Sequence, residues 1–145
     1  MASHSYEITA RSDAPPERVF ALLADATSWT RWGGPAIGHA SWEREGDPAP
    51  GGIGAIRKVG RFPMFGYEQI EADDPPTHHA YTLVKGNPVR NYRADVHLVA
   101  DDGGTRITWR ATFDPLIPGT GWALAGFYRR FISGLARRLA AYAAA

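Results

Sequence analysis

Cysteine is absent from this 145-residue sequence, which removes disulfide bridges, zinc–cysteine centres and thiol nucleophiles together. An excess of charge of one sign is missing too. Sixteen Lys and Arg stand against 15 Asp and Glu, a formal net charge of +1, so the overall balance calls for neither nucleic acid nor an anionic membrane. No uninterrupted apolar run approaches the roughly 20 residues of a membrane span. Met1 to Ser12 carry Tyr6, Glu7 and Arg11 where a secretory signal would have its apolar core. The expectation is a cytoplasmic protein with no integral membrane segment. Two chemical motifs are lacking as well. There is no Gly-x-Ser-x-Gly elbow, and Pro50-Gly51-Gly52-Ile53-Gly54 feeds a strand and lacks the Lys-Ser/Thr ending of a phosphate loop.

What is present is aromatic. Five Trp, six Tyr and six Phe, in a chain 44% hydrophobic and 21% charged, suit one globular domain over residues 1–145 with a sizeable core. Large aromatics dominate cores and ligand pockets alike, and Tyr and Trp add a polar tip.

Tyr6, Ile8 and Ala10 alternate with Glu7, Thr9 and Arg11, the period of a strand with one buried face. Asp13-Ala14-Pro15-Pro16-Glu17 then starts a helix, because Pro fits a first turn whose N–H has no partner and acids favour that end. A second short helix around Trp29 and Trp32 stops at Gly33-Gly34-Pro35. From Ile37 to Phe113 no helical period intervenes, which predicts an antiparallel meander with strands near 37–45, 53–61, 66–73, 78–85, 89–100 and 105–114. Over 120–142, Leu124, Phe127, Phe131, Leu135, Leu139 and Tyr142 fall at spacings of three or four and predict one long amphipathic helix. The fold class is α+β: a curved sheet of about seven antiparallel strands around a long C-terminal helix.

The turns set which residues share a face, since paired residues on antiparallel neighbours point the same way. Pairing Arg61 with Gly66, Lys85 with Arg90 and Ala100 with Thr105 gives one consistent inner face. It holds Val59, Ile70, Tyr81, Leu83, Tyr92, Val96, Leu98, Ile107, Trp109 and Phe113. One helix about 10 to 12 Å across cannot cover so wide a face unless the sheet bends and the gap is filled. Small residues, Ala55, Ala94 and Ala111 on the sheet and Ala125, Gly126, Gly134 and Ala136 on the helix, favour a cavity.

The order of elements and several strings resemble the polyketide cyclase/dehydrase family of the START-like, birch-pollen-allergen-like (SRPBCC) helix-grip superfamily. The strings are Ala14-Pro15-Pro16-Glu17-Arg18-Val19-Phe20 with Trp29 and Trp32, Gly52-Ile53-Gly54-Ala55-Ile56-Arg57, and Asp74-Pro75-Pro76 with Tyr81. They continue with Tyr92-Arg93-Ala94-Asp95-Val96 and Gly103-Gly104-Thr105-Arg106-Ile107-Thr108-Trp109. The resemblance covers nearly the whole chain. It implies a cavity for aromatic, lipid, polyketide or isoprenoid-like ligands; some members cyclise or dehydrate polyketides, and many have no shown activity.

Arg57 and Glu68 are the oppositely charged pair that the register places on the inner face, and they are the candidate catalytic residues. Glu68 would act as base or acid while Arg57 stabilises charge on a substrate oxygen; the same pair also reads as a plain ion pair at a cavity mouth. Candidate ligand-binding residues are Trp42, Val59, Ile70, Tyr81, Leu83, Arg90, Tyr92, Trp109, Phe113, Phe127 and Phe131, with Arg90 and Tyr92 a possible anchor for a ligand carboxylate or phosphate. No metal site is expected. His78 and His79 are adjacent on a strand and point oppositely, and His4, His39 and His97 show no pairing period. No cofactor is expected either. Three functions follow: binding of a small hydrophobic molecule by a monomer or homodimer, a polyketide aromatase/cyclase or dehydratase, and a non-catalytic regulator or partner protein.

Overall fold

The computed structural model describes residues 3–145. Strand β1 (His4–Ser12) is followed by α1 (Pro16–Ala24), a 3-10 turn over Ala26–Ser28 and the single turn α2 (Trp29–Trp32). Strands β2 (His39–Arg44), β3 (Ile56–Arg61), β4 (Met64–Asp74), β5 (His78–Lys85), β6 (Val89–Asp101) and β7 (Gly104–Pro115) then form a meander, and α3 (Gly121–Ala144) closes the chain. The seven strands make one antiparallel sheet in the order β1-β7-β6-β5-β4-β3-β2.

Local chemistry explains the elements. Pro15 and Pro16 open α1, which buries Val19, Phe20, Leu22 and Leu23. Asp25 ends it and starts the 3-10 turn by accepting from the Thr27 N–H at 3.0 Å. Both tryptophans of α2 are buried with their indole N–H groups satisfied. Trp29 donates to the Leu23 carbonyl at 3.0 Å and Trp32 to the Ser28 hydroxyl at 3.1 Å. At about 1.5 Å per residue the 24 residues of α3 run roughly 36 Å, enough to cross the sheet. Its far half is locked down by Leu139, Ala140 and Ala143, and the Ser12 hydroxyl donates to the Ala140 carbonyl at 2.7 Å.

The inner face follows the expected parity, with three corrections. The β3–β4 loop is two residues, Phe62-Pro63, shorter than the expected Phe62 to Phe65, so Arg61 pairs with Met64. This slides the register by two positions and preserves the face, and Arg57 stands opposite Glu68 instead of Ile70. Asn91, at φ 55°, interrupts β6 between Arg90 and Arg93; Arg90 then pairs with Asp114 and is exposed to solvent, away from the inner face. On α3 the buried stripe in the first half is Ala125, Tyr128 and Ile132, one step round from the expected Leu124, Phe127 and Phe131. Gly126 points outward as well.

Candidate functional site

The first half of α3 packs on the β1, β6 and β7 side of the sheet, through Tyr128 against Tyr6, Tyr92 and Phe113, and stands off from β3 to β5. In that gap lies a cavity of about 390 Å³, within the usual size of a small-molecule site. Val59 on β3, Leu83 on β5 and Leu124, Phe131, Ile132 and Leu135 on α3 supply apolar walls. The mouth is formed by Met64 and Phe65 at the β3–β4 hairpin, Gly86-Asn87-Pro88 between β5 and β6, and Phe127, which is 60% exposed. Gly86 holds φ 100° and lies against the Phe65 carbonyl, where a Cβ would collide with it, so the two hairpin ends sit in contact.

The floor is polar. Glu68, Tyr81 and Tyr92 line it, and behind them runs a buried chain of groups. The Arg57 guanidinium is completely buried and donates from Nε to Glu68 Oε1 at 2.6 Å. Its Cζ lies 4.4 Å from the Trp29 ring centre and 4.7 Å from that of Tyr81, so two aromatic faces flank the cation. Nη1 reaches His79 Nε2 at 3.0 Å and the Leu23 carbonyl at 3.4 Å. Because Arg57 can only donate, His79 accepts at Nε2 and carries its hydrogen on Nδ1. Burial, reinforced by the neighbouring Arg57 and then His78, holds the His79 pKa well below the ordinary value and keeps the ring neutral.

The phenols are held in the donor state. Burial pushes Tyr81 and Tyr92 well above the usual range; it raises Tyr6 as well and brings Tyr128 up to about 12. The Tyr6 and Tyr92 hydroxyls share a hydrogen bond of 2.5 Å, and Tyr128 donates to Asn87 Oδ1 at 2.8 Å. Tyr81 accepts from Trp109 Nε1 at 3.2 Å and keeps its own hydrogen to donate, with the Tyr6 hydroxyl as an acceptor within reach. Glu68 presents the complementary group. Its side chain is 12% exposed, and among the described residues it takes one hydrogen bond, through Oε1.

Of the residues singled out in the sequence, Val59, Glu68, Tyr81, Leu83, Tyr92, Phe127 and Phe131 come together on the cavity. Ile70, Trp109 and Phe113 are buried in the core behind it, and Arg57 is enclosed beneath its floor. Trp42 is half-buried on β2 beside Gly51, away from the lining, and Arg90 is on the outside. Trp29, Ile37, Tyr128 and Ile132 line the cavity without having been picked out. Tyr128, Ile132, Leu135 and Leu139 repeat at spacings of four, three and four, a second apolar stripe that runs beside the chosen one.

Among the described residues no helix is long and apolar enough to cross a membrane. The sequence model of a family described as polyketide cyclase / dehydrase and lipid transport matches residues 3–144. An uncharacterized protein of Mycobacterium tuberculosis is 32% identical over 97 residues, covering 65% of this chain and 56% of that protein. A Mycobacterium bovis protein, also uncharacterized, matches equally, so the chain spans about half the length of these curated relatives. Among solved structures, a START superfamily protein from Mycobacterium smegmatis superposes with a TM-score of 0.80 at 12% identity over 97% of each chain. The crystal structure of Ara h 8.0201 gives a TM-score of 0.76 at 23% identity over 98% of each. At these identities the likeness carries the helix-grip fold alone.

Proposed function

Because the chain belongs to the polyketide cyclase/dehydrase and lipid transport family, we propose that it binds a small lipid, polyketide or isoprenoid-like molecule in the cavity between sheet and α3. The observation that carries this reading is the pairing of apolar walls with a floor of one carboxylate and two tyrosine side chains. Apolar walls bind a hydrocarbon body through surface removed from water, at about 25 cal/mol per Å². The floor selects a polar end, with Glu68 accepting from a ligand hydroxyl or amine and Tyr81 donating to a ligand oxygen. In this reading the protein works in the cytoplasm as a monomer or homodimer and uses no nucleic acid.

One observation favours a catalytic variant of the same reading. Glu68 and Tyr81 offer an acceptor and a donor side by side on the cavity floor, the pairing needed to move a proton during a cyclisation or dehydration. Arg57 would act there through Glu68, as a positioning residue, since it does not line the cavity.

The test is a titration with a naphthalene-type fluorophore, together with native mass spectrometry for a ligand carried through purification. Saturable micromolar binding, weakened by Leu83→Asp at the wall, is the expected result. Absence of saturable binding across aromatic and lipid probes would overturn it.

A further inference from the structure

The opposite, solvent-facing side of the sheet carries a cluster that the cavity does not use. His78 on β5 and His97 on β6 are direct cross-strand partners, and their rings stack in parallel with centres 4.5 Å apart. Asp95, two residues before His97 and so on the same face, puts Oδ1 2.7 Å from His78 Nε2. The three residues offer ligand atoms that all lie within 4.8 Å of one another, and each is partly exposed. We infer that His78, Asp95 and His97 form a binding site for a late first-row divalent cation of the zinc type, outside the hydrophobic-ligand cavity.

The donor set is chemically apt. Two imidazoles and one carboxylate are the ligands such ions take at about 2.0 to 2.2 Å, with a fourth position left to water. Ligand atoms around a tetrahedral ion stand roughly 3.3 Å apart at those bond lengths. The His78–Asp95 contact therefore has to open by well under an ångström, and the ion replaces the hydrogen that now bridges it. The two partly exposed rings have to turn out of their parallel stack and close up so that a nitrogen of each aims at the same point.

Outer-shell groups stand close by. Asp74 Oδ2 lies 3.6 Å from His78 Nδ1, beyond hydrogen-bond distance, and a small movement of its exposed side chain would let it hold the ring with Nε2 free for the ion. Arg93 donates from Nε to Asp95 Oδ2 at 3.2 Å, so the carboxylate can keep that contact while Oδ1 turns to the cation. Arg93 also reaches Oδ1 at 3.3 Å, and Arg110 is the cross-strand partner of Asp95. Both positive charges oppose the ion, and they set a moderate affinity in place of a tightly closed structural centre.

The experiment is titration of the full chain with Zn²⁺ by calorimetry, and with Co²⁺ by visible absorption. One equivalent should bind, with affinity falling at least tenfold in His78→Gln and in His97→Gln. Arg93→Ala, which frees Asp95, should tighten it. Should a histidine variant fail to fold, ring ¹H–¹⁵N spectra of the wild-type chain decide the matter, with Zn²⁺ expected to shift His78 and His97 and spare His4 and His39. Absence of one-equivalent binding, binding unaltered in both histidine variants, or shifts confined to His4 and His39 would each overturn the site.

Discussion

Arg57 and Glu68 stand directly opposite each other on β3 and β4, joined from Nε to Oε1 at 2.6 Å, with the cation wholly buried and the carboxylate bordering the cavity. The asymmetry matters. Glu68 can find water or a ligand hydrogen in the cavity, whereas Arg57 has no route to solvent.

Removing Glu68 should therefore hurt more than removing Arg57. In urea unfolding, Glu68→Leu should cost about 3 to 5 kcal/mol, the usual penalty for stranding a buried charge, and Arg57→Met should cost less. The double variant should be more stable than the sum of the two losses implies. Additive losses would mean that the two groups do not depend on each other.

Along α3, stability and binding should separate by position. Leu139 is fully buried at the gripped end, and Leu139→Ala should cost about 2 to 5 kcal/mol with fluorophore affinity little altered. Phe127 is 60% exposed at the cavity mouth, so Phe127→Ala should leave the unfolding midpoint nearly unmoved and weaken the probe several-fold. Paired denaturation and titration curves on the two variants check both halves.

Alkali should unfold the protein through its phenols. Tyr6, Tyr81, Tyr92 and Tyr128 all have folded pKa values above 10, so above about pH 10 the unfolded chain releases protons that the folded one retains. Stability from this source is complete below pH 10 and declines as pH rises, by up to about 1.4 kcal/mol per pH unit for each fully buried phenol. Phenolate absorbance near 295 nm should show a late component coincident with loss of circular dichroism, and Tyr92→Phe should move that transition to higher pH.

Most of the fold was legible because turn chemistry fixes parity. Asp102 and Gly103 adopt φ 49° and 83° in a two-residue turn, and from it Leu98–Ile107, Val96–Trp109 and Ala94–Ala111 pair as the alternation of apolar residues requires. The site was only partly legible. A bulge at Asn91 leaves no mark in the hydrophobic period, so Arg90 was placed on the wrong face. The rotation of α3 was ambiguous because two apolar stripes run side by side in its first half, and packing chose Tyr128 and Ile132. The meeting of His78 with His97 does follow from the register, since the Lys85–Arg90 pairing that sets Tyr81 opposite Ala94 also sets His78 opposite His97, although spacing within one strand does not report it.

Among the described residues, strand β1 has its only strand partner in β7, with His4 opposite Phe113. During synthesis β1 therefore waits, unpaired, until β7, the last strand of the sheet, has been made. Closing so large a loop early carries a heavy entropic cost with no local contacts to offset it. The β4–β7 meander, whose neighbours are joined by short turns, is positioned to assemble first. The first-made strand of the sheet is then among the last to dock, and it arrives together with α3.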